Sequence, residues 1–159
     1  MHRIYVNADF IYLITVTLSI MQTNHLFVYG SLLKGFKSQA YEYIKSYFTL
    51  LGEATIKGTM YDMDSFPVVT SKDTGRLIKG ELYEINNPLE FSFAMAQLDD
   101  YEGLYPEEGL EADYEREAVD ANFNGKTITA WVYWYKKDVS GMPVVESGDM
   151  LKYAKGSKA

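Results

Sequence analysis

The sequence contains no cysteine and only two histidines, His2 and His25, among its 159 residues. Without cysteine, disulfides, thiolate-based zinc sites and a cysteine nucleophile are all excluded. The scarcity of histidine argues in the same way against a histidine-rich metal centre. The sequence therefore predicts no metal site.

Basic runs are also missing, since the longest is Lys136-Lys137 and the formal net charge is −7. This balance argues against nucleic-acid binding, because such proteins usually concentrate basic side chains on one surface. Aromatic residues are plentiful, with 14 Tyr, and the hydrophobic fraction of 47% is typical of a globular protein. A chain of this length is most simply one domain with a substantial core.

A long hydrophobic run is absent as well. The apolar stretch Phe10–Met21 is too short to span a bilayer, which takes roughly 20 apolar residues. Asp9 precedes it directly and no small-residue cleavage site follows, unlike a signal peptide. We interpret residues 1–24 as an N-terminal extension, with Met21 as an alternative start. An additional strand and a targeting segment remain the alternatives. The rest, residues 25–159, is expected to form one domain of a cytoplasmic protein that does not enter the membrane.

Hydrophobic spacing and turn residues predict the following elements. Apolar residues recur at helical spacing over 36–48. Three strand-like stretches, 54–61, 66–70 and 76–85, come next, and Lys72-Asp-Thr-Gly75 resembles a hairpin turn between the last two. We expect that turn to pair the two stretches.

The second half of the chain predicts a helix and another hairpin. Asn87-Pro88 and Glu90 are typical of a helix start, and Gly103 is typical of its end. Two strands, 115–122 and 127–135, flank Asn124-Gly125, which is a strong hairpin signal. The tail is expected to begin irregularly and to form a short helix near Ser147.

Strands outnumber helices in this pattern, and hairpins rather than crossover helices join several of them. The sequence therefore predicts an α+β fold: a small, mixed but largely antiparallel, barrel-like sheet with two main helices.

One carboxylate interrupts the apolar face of the second helix. Phe91, Met95 and Leu98 form that face, and Glu102 is its next member, about 20° from Phe91 at about 100° per residue. Asp99 and Asp100 are expected to turn away from it.

Burial and the negative end of the helix dipole would both raise the pKa of Glu102. A raised pKa suits a general base near neutral pH. The alternative interpretation is that Glu102 caps a loop amide or pairs with Arg116 or a lysine.

The stretch HLFVYGSLLKGF, residues 25–36, ends a strand at Gly30-Ser31 and allows three interpretations. A phosphate loop would need Lys-Ser/Thr directly after Gly35, where Phe36 stands instead. A nucleophilic Ser31 would need a nearby base, and His25 lies six residues earlier on the same strand. The third interpretation is a group of backbone N–H donors that binds a carboxylate or an oxyanion. A turn that only packs remains the alternative to all three.

Six motifs resemble the gamma-glutamylcyclotransferase-like family, in order, from about His25 to Met150. They are FVYGSLLKG at 27–35, SFPVVT at 65–70, KGELYEI at 79–85, LDDYEG at 98–103, YER at 114–116 and ESGDM at 146–150. The tail departs slightly from the pattern, since Met150 stands where relatives often carry tryptophan.

The resemblance implies a barrel-like α+β fold with a cavity. It also implies that the loop Tyr29, Gly30, Ser31 and Leu32 grips a γ-glutamyl group and that Glu102 is the acid/base. Tyr133 matches a family tyrosine on the late aromatic strand, with a plain core position as its alternative.

The implied substrate is a γ-glutamyl amine or γ-glutamyl amino acid, whose own α-amino group closes a five-membered lactam. Such an intramolecular attack needs no enzyme nucleophile, cofactor or metal. The products would be 5-oxoproline and a free amine. Two further readings stay open: a non-catalytic small-molecule binding module, and an acylase-like enzyme that removes a γ-glutamyl protecting group. The cavity mouth, which would set leaving-group specificity, is expected to involve Leu104 to Leu110 and the tail.

Overall fold

The computed structural model describes residues 23–64 and 66–156. The strands in these ranges are β1 (His25–Val28), β2 (Phe48–Lys57), β3 (Thr59–Met63), β4 (Phe66–Thr70), β5 (Leu77–Ile85), β6 (Tyr114–Phe123) and β7 (Lys126–Tyr135). The α-helices are α1 (Gln39–Tyr47), α2 (Phe91–Tyr101) and α3 (Met150–Gly156), and 3-10 turns cover Lys34–Phe36 and Pro88–Glu90. The predicted extension, apart from its last two residues, lies outside the described residues.

Five strands form a closed barrel in the order β1-β5-β2-β6-β7. Neighbouring strands are antiparallel, except where β1 meets β7 in parallel at Leu26 and Trp131. β3 and β4 form a separate two-stranded antiparallel sheet. The predicted α+β class with a largely antiparallel, barrel-like sheet is thereby confirmed.

The barrel interior and the inner face of α2 form one apolar core. Alternating residues of β5 are buried, as expected of a strand with one face inward. From α2, the core receives Phe91, Ala94, Met95 and Leu98. The largest fully buried side chain is Trp134, on β7. This packing holds the C-terminal end of α2 against the barrel, where the candidate site lies.

The two predicted hairpin turns have different outcomes. Asn124 and Gly125 join β6 to β7 with φ values of 50° and 76°, as a primed two-residue turn requires. The turn at 72–75 does not pair its flanking strands. Instead β4 pairs with β3, while β5 lies in the barrel between β1 and β2. That prediction was wrong because turn residues mark where a chain reverses, whereas burial of strand faces decides which strands pair.

Several predicted boundaries shift by a few residues. The helix predicted at 36–48 is a 3-10 turn followed by α1, whose first turn is capped by Ser38: its Oγ accepts from the N–H of Tyr41 at 3.0 Å. The stretch 54–61 divides between β2 and β3. Gly103 ends α2 with φ of 71°, as predicted. The short tail helix is confirmed, as α3. None of the helices in the described ranges is long and apolar enough to cross a membrane.

Candidate active site

A cavity of about 710 Å³ opens where β1 runs into the Tyr29–Leu32 loop. Buried side chains form its floor: Phe27, Val28, Leu32, Tyr133 and Met150. Glu102 lines it as well, together with Tyr29 and Tyr114. The cavity therefore brings together the loop and the carboxylate, some seventy residues apart in sequence.

Glu102 is the residue that follows the last turn of α2. Its N–H donates to the carbonyl of Leu98 at 2.9 Å, which continues the helical pattern and directs the residue toward the core face. Burial raises the pKa of Glu102 to about 7. The carboxylate makes no hydrogen bond or ion pair with another described residue. The interpretation of Glu102 as the partner of Arg116 is therefore wrong, and neither a capped loop amide nor a paired lysine is present for it among the described residues.

Arg116 pairs with Asp99 instead. Its Nε lies 3.0 Å from Oδ1 of Asp99, and its guanidinium lies 4.7 Å from the centre of the Trp131 ring. Tyr133 donates its hydroxyl to the same Oδ1 at 2.8 Å. These contacts compensate a carboxylate that is only 2% exposed.

The prediction that Asp99 turns away from the core was wrong. The sequence pattern indicates one narrow apolar face, but the barrel buries a wider arc of α2. Asp99 lies on the edge of that arc, one helical turn after the buried Met95. That spacing, together with an arginine on an aromatic strand, was the signal that could have found the pair.

Three tyrosines border the carboxylate. Tyr29 donates its hydroxyl to the backbone carbonyl of Tyr133. Burial raises the pKa of Tyr29 and of Tyr133, and the hydrogen bond to Asp99 raises that of Tyr133 further. Burial and the nearby Glu102 raise the pKa of Tyr114 to about 12. All three hydroxyls therefore remain protonated at neutral pH. Tyr114 was not predicted as a site residue, although it opens the YER motif.

The Tyr29–Leu32 loop is a tight turn that leaves two main-chain donors without an acceptor in the described chain. The N–H of Leu33 donates to the carbonyl of Gly30 at 2.9 Å, and Ser38 Oγ donates to the carbonyl of Ser31 at 2.6 Å. The N–H groups of Ser31 and Leu32 have no acceptor among the described residues. Such unpaired amides can bind an anion or a polarised carbonyl oxygen.

The Ser31 hydroxyl has no base beside it. Its contact within the described chain is the Tyr101 hydroxyl at 3.5 Å. His25 lies elsewhere: its Nε2 is 3.8 Å from the carboxylate of Glu84, and its Nδ1 contacts Thr23. The geometry therefore favours Ser31 as a turn residue rather than a nucleophile.

The cavity mouth differs in part from the prediction. The tail contributes, through Tyr153 and Ala154 of α3. Pro106 and Leu110 instead line a neighbouring cavity of about 420 Å³, which shares Glu102 and Tyr114 with the first. The mouth of the larger cavity receives Phe36, Asp64 and Phe66, none of which was predicted.

Within the described ranges, no three His, Asp or Glu side chains converge closely enough to hold a metal ion. The groups that do converge are a carboxylate with a pKa near neutrality, protonated tyrosines and unpaired backbone amides. Together they can exchange a proton beside a bound polar group and stabilise negative charge on an oxygen.

Comparison with known proteins matches this chain to one family. The family model described as gamma-glutamyl cyclotransferase, AIG2-like, matches residues 26–152. A Methanocaldococcus jannaschii protein, MJ1514, provisionally named as a gamma-glutamylcyclotransferase, is 32% identical over 130 residues, covering 81% of this chain and 97% of its own. The gamma-glutamylcyclotransferase family protein YtfP of Escherichia coli strain K12 is 30% identical over 128 residues, covering 79% of this chain and 95% of its own.

Two solved structures are similar as well. The crystal structure of YkqA from Bacillus subtilis superposes with a TM-score of 0.62 at 21% identity, over 86% of this chain but only 43% of that longer one. The solution structure of Escherichia coli ytfP gives a TM-score of 0.53 at 27% identity, over 82% of this chain and 98% of its own. These likenesses agree with the barrel described above.

Proposed function

Because the chain belongs to the gamma-glutamyl cyclotransferase, AIG2-like family, we propose that it is a cofactor-independent cyclotransferase. In this proposal it converts a γ-glutamyl amine or γ-glutamyl amino acid into 5-oxoproline and a free amine. The observation that carries the proposal is Glu102: a half-buried carboxylate without a partner in the described chain, with a pKa of about 7, in the same cavity as the unpaired amides of the loop.

The reaction begins with proton transfer. Glu102 removes a proton from the substrate α-ammonium, and the free amine attacks the γ-carbonyl carbon of the same molecule. A five-membered ring closes without an enzyme nucleophile, and the high effective molarity of such attacks supplies much of the acceleration. The C–N bond to the departing group then breaks as Glu102 returns its proton to that nitrogen. The ring nitrogen loses its second proton to solvent to become the lactam N–H, and the departing amine takes up a proton from solvent as an ammonium ion. Each turnover therefore leaves Glu102 ionised, as it began.

The loop supplies binding and charge stabilisation. The N–H groups of Ser31 and Leu32 donate either to the substrate α-carboxylate or to the oxygen of the tetrahedral intermediate. Donors that are already in position need little reorganisation as charge develops. Gly30 carries no side chain and so lets the substrate approach this backbone closely. Tyr29 and Tyr133 form the adjoining wall, and the Tyr29 hydroxyl donates to the backbone carbonyl of Tyr133.

The direct test is to incubate the protein with γ-glutamyl alkylamines and γ-glutamyl amino acids and to measure 5-oxoproline. We expect product from at least one compound, and none from the same compound with Glu102→Gln. Binding of a γ-glutamyl compound by calorimetry without any 5-oxoproline would instead indicate a binding module. Release of free glutamate in place of 5-oxoproline would indicate an acylase-like hydrolysis.

A further inference from the structure

One hydroxyl outside the predicted motifs holds part of the Tyr29–Leu32 loop. Ser38 lies on the wall of the large cavity, and its Oγ is 2.6 Å from the carbonyl oxygen of Ser31 and 3.0 Å from the backbone nitrogen of Tyr41. A serine hydroxyl has one hydrogen to donate, and the N–H of Tyr41 can only donate. The hydrogen of Ser38 Oγ therefore points at the Ser31 carbonyl.

That hydrogen bond also sets the direction of the Leu32 amide. The carbonyl of Ser31 and the N–H of Leu32 belong to the same peptide group, which is planar and trans. The C=O and N–H bonds of a trans peptide point in opposite directions. Because Ser38 holds the oxygen, the Leu32 N–H points away from Ser38.

The Leu32 N–H lacks an acceptor in the described chain, although Leu32 is only 5% exposed. Buried backbone N–H groups are nearly always paired with protein, water or a ligand. Leu32 lines the cavity that also holds Glu102. A polar substrate atom in that cavity would supply the missing acceptor.

The neighbouring peptide group is held by the backbone instead. The carbonyl of Gly30, whose peptide group carries the Ser31 N–H, accepts from the N–H of Leu33 at 2.9 Å. Within the described chain, the Ser31 carbonyl has Ser38 Oγ as its only partner. A side-chain replacement at position 38 would therefore release the Leu32 N–H and leave the Ser31 N–H in place.

We propose that Ser38 is a positioning residue for the cyclotransfer reaction: its hydroxyl holds the Ser31–Leu32 peptide group so that the Leu32 N–H faces the substrate. The role is indirect, since the group that meets the substrate is the amide. A donor held in this way before substrate binds needs little reorganisation as negative charge develops. This inference rests on the proposed cyclotransfer at Glu102 and adds a residue to it.

Ser38 also has a purely structural role. Its Oγ caps the first turn of α1 by accepting from the N–H of Tyr41, and loss of such a cap by itself lowers stability. Asn87 is a matched cap elsewhere in the chain. Its side chain accepts from the N–H of Leu89 at 3.1 Å, in the 3-10 turn that leads into α2, and it lies outside the cavity.

The variants Ser38→Ala, Ser38→Thr and Asn87→Ala separate the two roles. Ser38→Ala and Asn87→Ala each lose a cap, so we expect both to lower Tm by about 2–4 °C. Ser38→Ala should also lower kcat/KM for 5-oxoproline release by about 10- to 100-fold, because a donor that can turn away provides only part of its stabilisation. Asn87→Ala should keep the wild-type kcat/KM. Ser38→Thr keeps the hydroxyl and should stay close to wild type in both measurements.

The division of the Ser38→Ala effect between kcat and KM identifies the substrate atom that the Leu32 N–H meets. A lower kcat at unchanged KM means that the amide stabilises the oxygen of the tetrahedral intermediate. A higher KM at unchanged kcat means that it binds the substrate α-carboxylate. Either result supports the positioning role.

Three results would overturn the inference while the cyclotransferase proposal stands. They are wild-type kcat/KM in Ser38→Ala, a Ser38→Thr protein as slow as Ser38→Ala, and an equal loss of kcat/KM in Asn87→Ala. If the wild-type protein yields no 5-oxoproline from any γ-glutamyl compound, both proposals fail.

Discussion

Asp99 and Glu102 lie three residues apart at the end of α2, and only Asp99 has a cationic partner. Its Oδ1 is 3.0 Å from Nε of Arg116 and also accepts the Tyr133 hydroxyl. Glu102 lies in the cavity wall with no partner in the described chain. One helical turn thus carries an ion-paired carboxylate that attaches the helix to the barrel and a second carboxylate that has no partner in the described chain.

Replacing Glu102 should remove activity and leave the fold intact. Glu102→Gln keeps the side-chain volume but cannot take up a proton, so we expect kcat/KM to fall by roughly 10²- to 10⁴-fold. Asp100→Asn on the same helix is the matched control and should stay near wild type. Turnover by Glu102→Gln within a few-fold of wild type would exclude Glu102 as the base.

The pH dependence of catalysis should follow the ionisation of Glu102. The base must be ionised, so kcat/KM should rise with pH and approach a plateau above an apparent pKa of about 7. An initial-rate profile between pH 5 and 9 with a neutral leaving group measures this. If kcat/KM instead falls at low pH with an apparent pKa near the ordinary glutamate value of 4.5, burial does not raise the pKa of Glu102.

The raised pKa of Glu102 should lower the free energy of unfolding at neutral and basic pH. A carboxyl whose pKa is raised on folding binds a proton more tightly in the folded state, so the folded state loses stability as pH rises from the unfolded pKa of 4.5 toward about 7. The loss has an upper limit of about 3 kcal/mol and is reduced by the partial exposure of the group.

Glu102→Gln should therefore unfold at a higher temperature than wild type at pH 8 and at nearly the same temperature at pH 4.5. Thermal melts at the two pH values measure the difference. If the variant gains no stability between them, Glu102 is not held in a desolvated position.

Removal of Arg116 should be far more costly than removal of a surface cation. Arg116→Met leaves Asp99 buried beside only the Tyr133 hydroxyl, and we expect a loss of roughly 3 kcal/mol in unfolding free energy. Lys79→Met is the control, since Lys79 forms longer, exposed contacts with Glu53 and Asp149 at 3.8 and 3.7 Å. It should cost less than about 1 kcal/mol. If urea titrations show the same loss of unfolding free energy for Arg116→Met and Lys79→Met, the buried ion pair contributes no more to stability than the exposed contacts of Lys79.

A methyl group at Gly30 should affect binding more than folding. A Cβ there would lie 3.9 Å from Cε of Met150, an ordinary contact within the cavity wall. Gly30→Ala should therefore raise KM while the melting temperature changes little. At Gly80 the same change would place Cβ 2.2 Å from the carbonyl oxygen of Val28, so Gly80→Ala should be strongly destabilised. A Gly30→Ala protein with wild-type KM would argue that substrate does not approach this backbone.

Local signals in the sequence predicted local structure well. The Asn124-Gly125 turn, the strand at 66–70 and the end of α2 at Gly103 all depend on residues close together in the chain, and all three are confirmed. The inward direction of Glu102 also followed from helical spacing alone, because 3.6 residues per turn places it on the face of Phe91.

Which strands pair, and which charged residues form ion pairs, could be determined only from the folded structure. The turn at 72–75 joins strands that do not pair, and Arg116 selects Asp99 over Glu102, because both outcomes depend on which faces the closed barrel buries. The groups at the cavity mouth, Asp64 among them, were not predicted for the same reason. They lie on the β3–β4 hairpin, and no sequence spacing relates that hairpin to the site residues.

The sequence by itself determined that the chain folds as a largely antiparallel α+β domain, and it indicated a loop of main-chain donors and one inward carboxylate. Only the tertiary structure decided that these two meet in one cavity and that the neighbouring Asp99 is neutralised. It also showed that the Ser38 hydroxyl holds the Ser31 carbonyl of that loop. The reason is physical: periodicity and turn chemistry act over a few residues, whereas burial, ion pairing and cavity shape depend on segments brought together by closure of the barrel.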